Sequence, residues 1–196
     1  MFELIIESLT AADGDLTIGI SEIKNTNILG TNELLEVAKS ISKSALAFQF
    51  FNSLMIVDEL HLLSSAQNAV HAMKGEYMIS RSLDVELVVY SSAQHQIGLA
   101  LDIMGVKDQL SSVGVVCIDA DETKVRKCLD DVSKRVGEEV TPMFSPTPEK
   151  IISLMEAFGI TEIEMNQFTE STDLTSRSQA LSKCVVSRVS VVSLGS

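Results

Sequence analysis

Between residues 82 and 107 the chain changes its hydrophobic period, and this change limits the fold more than any other feature. Val85, Leu87 and Val89 alternate with Glu86, Val88 and Tyr90, a period of two in a β-branched run, which predicts a strand. At Ser91 the pattern shifts. Ser91 and Gln94 have the spacing of a capping box, Ile97, Leu101 and Met104 fall on one helical face, and Gly105 supplies a stop. A strand feeding directly into a capped helix implies helices laid on a sheet. It also sets a helix N-terminus, with free N–H groups and partial positive charge, at the carboxyl end of a strand. Such a place suits an anion such as a phosphate.

The flanking chain repeats the alternation of strands and helices. Residues 1–9 and 16–23 alternate apolar side chains around Asp13-Gly14-Asp15, predicting a β-hairpin. A helix follows over 31–44, with Leu34, Leu35, Ala38 and Ile41 on one face, then a buried strand region over 48–57. Asp58 caps a long helix striped by Leu63, Ala66, Val70 and Met73 and closed by Gly75. Past the central segment, 113–118 reads as a strand and 121–136 as a helix. Pro142, Pro146 and Pro148 mark a loop, and a helix over 148–158 ends at Gly159. Short helices over 161–168 and 173–183 precede an alternating run, 184–194, that predicts a last strand. The expectation is a single α/β domain, 1–196, with a central mixed β-sheet covered by helices and 1–30 as an appended hairpin.

Composition narrows the function. An apolar fraction of 45 % and a mean hydropathy of +0.24 describe a folded globular chain, and 196 residues suffice for one core. No apolar run approaches the roughly 20 residues that span a bilayer. The opening Met1-Phe2-Glu3-Leu4 lacks the basic region of a signal peptide, so a cytoplasmic protein with no membrane partner is expected. Cys117, Cys128 and Cys184 are odd in number and lack paired spacing, which predicts buried thiols rather than disulfides or zinc. The net charge of −12 excludes extensive neutralisation of a nucleic-acid backbone, DNA included. Even over 71–107, Lys74, Arg81 and Lys107 face Glu76, Asp84, Glu86 and Asp102.

Motifs for chemistry are sparse. The run Val115 to Thr123 holds Asp119-Ala120-Asp121-Glu122-Thr123 at the end of an apolar strand, which resembles the nucleophile motif of a HAD-type, Mg²⁺-dependent phosphatase. The same carboxylates also suit a helix start, where they cap free N–H groups. The short downstream chain, without a second acidic pair, favours the helix start. His61, His71 and His95 have no ligand spacing and read as solvated or edge-packed. No phosphate loop or nucleophile elbow occurs, and Ser91 and Ser92 beside His95 read as caps. Neither a cofactor nor a metal is expected.

The run Glu86-Leu87-Val88-Val89-Tyr90-Ser91-Ser92-Ala93-Gln94-His95-Gln96-Ile97, followed by Ala100, Gly105 and Lys107, resembles the signature of the kinase-binding KEOPS subunit, the TPRKB family, in its archaeal type. Residues 46–193 follow the family's order of elements. Ala93 stands where the family usually has Gly, and His95 where it usually has Arg. The resemblance implies a non-catalytic accessory subunit. It would bind a small kinase-like ATPase subunit and the single-stranded 3′ CCA end of tRNA, supporting threonylcarbamoyladenosine modification. The implied RNA-binding residues are Arg81, Tyr90, Ser91, Ser92, His95, Gln96 and Lys107, with Tyr90 as a stacking face and the basic residues as local charge. Unpaired nucleotides are held by stacking and a few hydrogen bonds, so the acidic balance is compatible. A histidine is mostly neutral near pH 7, which weakens the charge at position 95. A scaffold that binds protein and never RNA is the other reading, and the charge favours it.

Overall fold

Four strands form the centre, in the order β1-β2-β4-β3, in a computed structural model that describes residues 4–11 and 14–195, with the side chains of 194 and 195 outside that set. β4 (Ser112–Asp119) is buried along nearly its whole length between β2 (Leu16–Lys24) and β3 (Ala47–Asn52), and β1 (Ile5–Leu9) pairs with the outer edge of β2. Ile18, Ile20, Phe51, Val116 and Ile118 face one helical layer, while Ile23, Phe48, Phe50, Val113, Val115 and Cys117 face the other. With helices on both faces the strands read as unbroken apolar runs.

One face is covered by α1 (Thr31–Ile41) and α5 (Glu122–Val136). Helix α5 lies so near β2 that a Cβ on Gly19 would come within 2.6 Å of both Val125 and Leu129. The other face is covered by α2 (Glu59–Lys74), α3 (Leu83–Ser92) and α4 (Ile97–Met104). Behind them pack α6 (Pro148–Phe158), the single turn α7 (Glu162–Met165) and α8 (Leu174–Ser190), with α8 against α2 and α3. No helix among the described residues is long and apolar enough to cross a membrane.

The α/β class and the helix-covered sheet are as read from sequence, and several details differ. Every strand pairing is antiparallel, so the sheet is not mixed. The hairpin exists as β1 and β2, with Asp13 of its turn outside the described residues. It is no appendage, because β2 pairs with β4 from Thr17↔Asp119 to Lys24↔Ser112. The segment 83–92 is a helix, not a strand. Leu83, Glu86, Leu87, Val88, Val89, Tyr90, Ser91 and Ser92 are all buried, and a helix buried all round has no polar face to give it a 3.6-residue period. Its β-branched residues then mimic a strand. The run 184–194 is helical as well, with Lys183, Ser187 and Ser190 on its exposed side, so its valines imitate strand alternation although the helical period is present. It continues α8, burying Cys184, Val185 and Val189 on one side, and ends in a 3₁₀ turn over Val192–Gly195.

The acidic run at the end of β4 is built as a helix start. Asp119 Oδ1 accepts from the Asp121 N–H at 3.0 Å and Oδ2 from the Leu46 N–H at 3.1 Å, while Lys124 lies 3.5 Å away. Asp121 accepts from the Thr123 N–H at 2.8 Å and caps α5. Among the described residues no group of three or more His, Cys, Asp or Glu side chains is placed to hold a metal. Asp121→Ala is expected to lower unfolding free energy by about 1 kcal/mol, the usual worth of an N-cap, in urea denaturation with an unchanged m-value. A loss near zero would mean that the cap does not hold α5.

Candidate interaction site

The site grows from the way α3 is held. At its N-terminal end the buried Glu86 carboxylate accepts from the Ile79 N–H at 3.0 Å and the Ser80 N–H at 2.7 Å, which fastens the loop leading into the helix. Tyr90 lies in the core, 1 % exposed. Burial pushes its phenol up to about 12, with Tyr77 and Glu86 adding to the rise and the Ser193 side chain, as a hydrogen-bond partner, opposing it. At the C-terminal end the buried His61 of α2 bridges two backbones. The Val57 N–H points at Nδ1 across 3.4 Å, and Nε2 lies 2.8 Å from Ser91 O. These partners assign the proton to Nε2, so a neutral imidazole donates to the carbonyl. His61 is therefore a core residue, contrary to the solvated or edge-packed expectation, and burial is the main cause that lowers its pKa to about 4.

After Ser92 the chain turns. Ala93 adopts φ 53° and ψ 30°, the left-handed conformation that ends a helix, and its N–H returns to Tyr90 O at 3.0 Å. Ser92 Oγ donates to Val89 O at 2.8 Å and accepts from the Gln94 N–H at 3.2 Å. The expected capping box of Ser91 and Gln94 is absent because these residues close one helix instead of opening the next. Helix α4 opens from Gln96, which has an extended backbone and no side-chain cap. The first-turn N–H groups of Ile97, Gly98 and Leu99 are thus left to solvent or a ligand. Along α4 Ala100 and Met104 point inward, and Ile97, Leu99 and Leu101 are exposed. The expected inward stripe of Ile97, Leu101 and Met104 holds only for Met104.

The residues read as RNA-binding therefore fall into three groups. Tyr90, Ser91 and Ser92 are buried and shape the turn from within, so the Tyr90 ring presents no stacking face at the surface. His95 and Gln96 are exposed on the turn itself. Arg81 precedes α3 and Lys107 follows α4, so they are separated from the turn by helices about 15 and 12 Å long. Sequence reasoning missed the exposed apolar trio beside the turn. Its signal was partly there: Ile97 and Leu101 share a face one turn apart, but Leu99 lies on the opposite side of the axis, so this short helix carries more apolar residues than one buried stripe can take.

A family model described as kinase binding protein CGI-121 matches residues 21–193. The chain belongs to that family. No curated protein matches it. The match starts inside β2, upstream of the region the signature had indicated, and ends beyond α8, so it takes in the end of β2, all of β3 and β4, and every helix described above. The Gly that the resembling signature has at the α3–α4 turn would have a physical reason. The position is left-handed, and Ala93 carries a Cβ where glycine avoids the strain.

Two outcomes follow from this geometry. Ala93→Gly is expected to raise unfolding free energy by about 1 kcal/mol, because it relieves the left-handed strain at a small cost in unfolded-state entropy. Denaturant titration checks this, and a destabilised variant would contradict it. His61 binds its proton in the unfolded chain near pH 6.5 but in the folded chain only near pH 4. The unfolded state therefore holds more protons in that window, and stability falls as pH falls through it. Between pH 7 and pH 5 the chain is expected to lose about 2 kcal/mol more than His61→Gln does. Equal losses in the two proteins would assign the acid sensitivity elsewhere.

Proposed function

We propose that this chain is the non-catalytic subunit of a KEOPS-type tRNA-modification complex, of the archaeal type, acting in the cytoplasm. It binds the small kinase-like ATPase subunit and helps hold the 3′ CCA end of tRNA while another subunit forms threonylcarbamoyladenosine. The CGI-121 match over residues 21–193 carries this reading, joined to the signature over 86–107. The apolar residues left exposed on outer helices, such as Ile152 and Ile163, offer area for a protein partner.

For RNA, the support is local. The uncapped N-terminus of α4 presents amide donors suited to one phosphate, and Ile97 and Leu99 beside it offer apolar contact to an unstacked base. His95 and Gln96 add hydrogen-bonding groups. Ser91, Ser92 and Tyr90 act through the shape of the turn, and Arg81 and Lys107 supply charge at a distance. A scaffold without RNA binding remains the second reading, favoured by the net charge of −12.

Filter binding with an intact tRNA and with one lacking its CCA end separates the two. Under the first reading truncation abolishes retention, and His95→Arg, which installs the family's usual residue, tightens it. With so few phosphates neutralised, log K against log salt is expected to slope at about −1 to −3. Retention that is absent, or indifferent to the CCA end, would favour the scaffold. In that case co-elution with the kinase-like subunit in gel filtration would be the activity left.

A further inference from the structure

The outer edge of β1 is an open strand edge, and the bonds around it show which of its backbone groups are free. On the side of β2 away from β4, the Lys24 N–H donates to Glu138 O at 2.7 Å and the Val140 N–H to Glu22 O at 2.8 Å. Even-numbered residues of β2 therefore direct their backbone groups toward the β1 side. In an antiparallel ladder the N–H and C=O of one residue point the same way, and neighbours alternate. The register Ile5↔Ile20, Glu7↔Ile18 and Leu9↔Leu16 then turns Ile5, Glu7 and Leu9 toward β2, and Ile6, Ser8 and Thr10 outward. Thr10 agrees with this assignment. Its N–H donates to Gln67 Oε1 at 3.0 Å and its carbonyl accepts from Gln67 Nε2 at 2.8 Å, so a side chain of α2 stands where a neighbouring strand would.

The outward groups of Ile6 and Ser8 have no such partner among the described residues. Glu7 and Ser8 are exposed, and Ile5 and Ile6 are half-buried. The opposite margin of the sheet is treated differently: β3 buries every residue but Gln49, whose amide donates to Phe50 O at 2.8 Å. Edges that must stay single are blunted by lysine, proline or a bulge. Residues 4–9, Leu-Ile-Ile-Glu-Ser-Leu, hold neither lysine nor proline, and the pairing with β2 runs without a bulge.

We propose that β1 pairs antiparallel with β1 of a second copy of this chain, joining two four-stranded sheets across a two-fold axis at Ile6. The edge calls for a short apolar strand with free groups at every second residue, and β1 is itself such a strand. Centred on Ile6, the pairing sets Ile6 of one copy against Ile6 of the other, and Leu4 against Ser8, each pair exchanging two backbone bonds. It stops where Gln67 already occupies Thr10. Glu7 then faces Ile5, whereas a centre at Glu7 sets two carboxylates opposite each other. Leu4 and Ile6, packed only in part against their own core, meet their counterparts. A basic strand from another protein suits the net charge of −12, but along 4–9 it finds Glu7 alone.

Sedimentation velocity of the full chain at an ionic strength of about 0.15 M checks the proposal. A reversible dimer is expected, with a Kd on the order of 10–100 μM for so small an interface. Because both copies are acidic, added salt should tighten it. Ser8→Pro deletes an outward N–H and leaves the β1–β2 ladder intact, so its melting curve should show a folded chain. It removes two bonds per dimer and should weaken association at least about tenfold. Amide exchange of the wild-type chain reads the register without a variant. The Ile6 and Ser8 amides should exchange fast in dilute protein and slow as the dimer forms, while those of Glu7 and Leu9 stay slow throughout. A monomer persisting to about 1 mM would overturn the proposal and leave the edge to a strand of another protein. So would a dimer in which Ile6 and Ser8 exchange as fast as in the monomer, or one that salt dissociates.

Discussion

Burying a helix removes water as a partner for its backbone, and α3 is buried continuously from Glu86 to Ser92. The groups at its C-terminal end must find their hydrogen bonds inside the protein. Glu86 reaches back to two amides of the loop before the helix, and His61 reaches across from α2 to the carbonyl of Ser91. The turn that follows is closed by Ser92 and by the left-handed Ala93. The position of α4 depends on these contacts, and with it the direction of the open amides at Ile97, Gly98 and Leu99. A surface that presents few charges can still recognise a ligand if its donors are held still, and here the core holds them.

The parts of the fold that sequence made legible are those with one wet face. Helices α1, α5 and α6 show the helical period, and Asp58, Asp121 and Thr161 announce the helix starts that they cap. Strand β4 is short, apolar and bounded by polar residues, as a strand buried on both faces should be. Helix α3 was illegible because burial had erased its period, and the second half of α8 because its valines gave a two-residue alternation beside the helical one. Valine-rich runs in either conformation then look alike. The candidate site inherited that error. The motif over 86–97 was assigned to the wrong end of the wrong element, so Ser91 passed for a cap when it closes a helix. The isolated departures from the family pattern were more informative, since Ala93 marks the left-handed residue on which the turn depends.

The two faces of the sheet carry different kinds of surface. On the α3 face, apolar side chains and uncapped amides surround a turn with little charge. On the α5 face, charges are dense and mostly paired along the helix, as in Arg126–Glu122 and Lys127–Asp131, and exposed pairs of this kind add little stability. What distinguishes the second face is a cleft beside Leu129, lined by Glu138 and Glu139, which have no ion pair among the described residues. The acidic balance of the chain is thus unevenly used: it is neutralised within α5 and left open at the cleft.

The strand order has a consequence for how the molecule comes into being. Strand β2 pairs with β1 on one edge and finds its second partner only in β4, from Thr17↔Asp119 to Lys24↔Ser112, so the sheet closes over a loop of nearly a hundred residues. Pairings so distant in sequence slow folding, because the closure entropy is lost before contacts return it. At roughly 5–20 residues per second of synthesis, β1 and β2 wait several seconds as a hairpin with exposed apolar faces. During that interval α2 and α3 already exist and have only each other and the hairpin to pack on. A nascent chain arranged in this way is a natural client for a holding chaperone until β4 arrives.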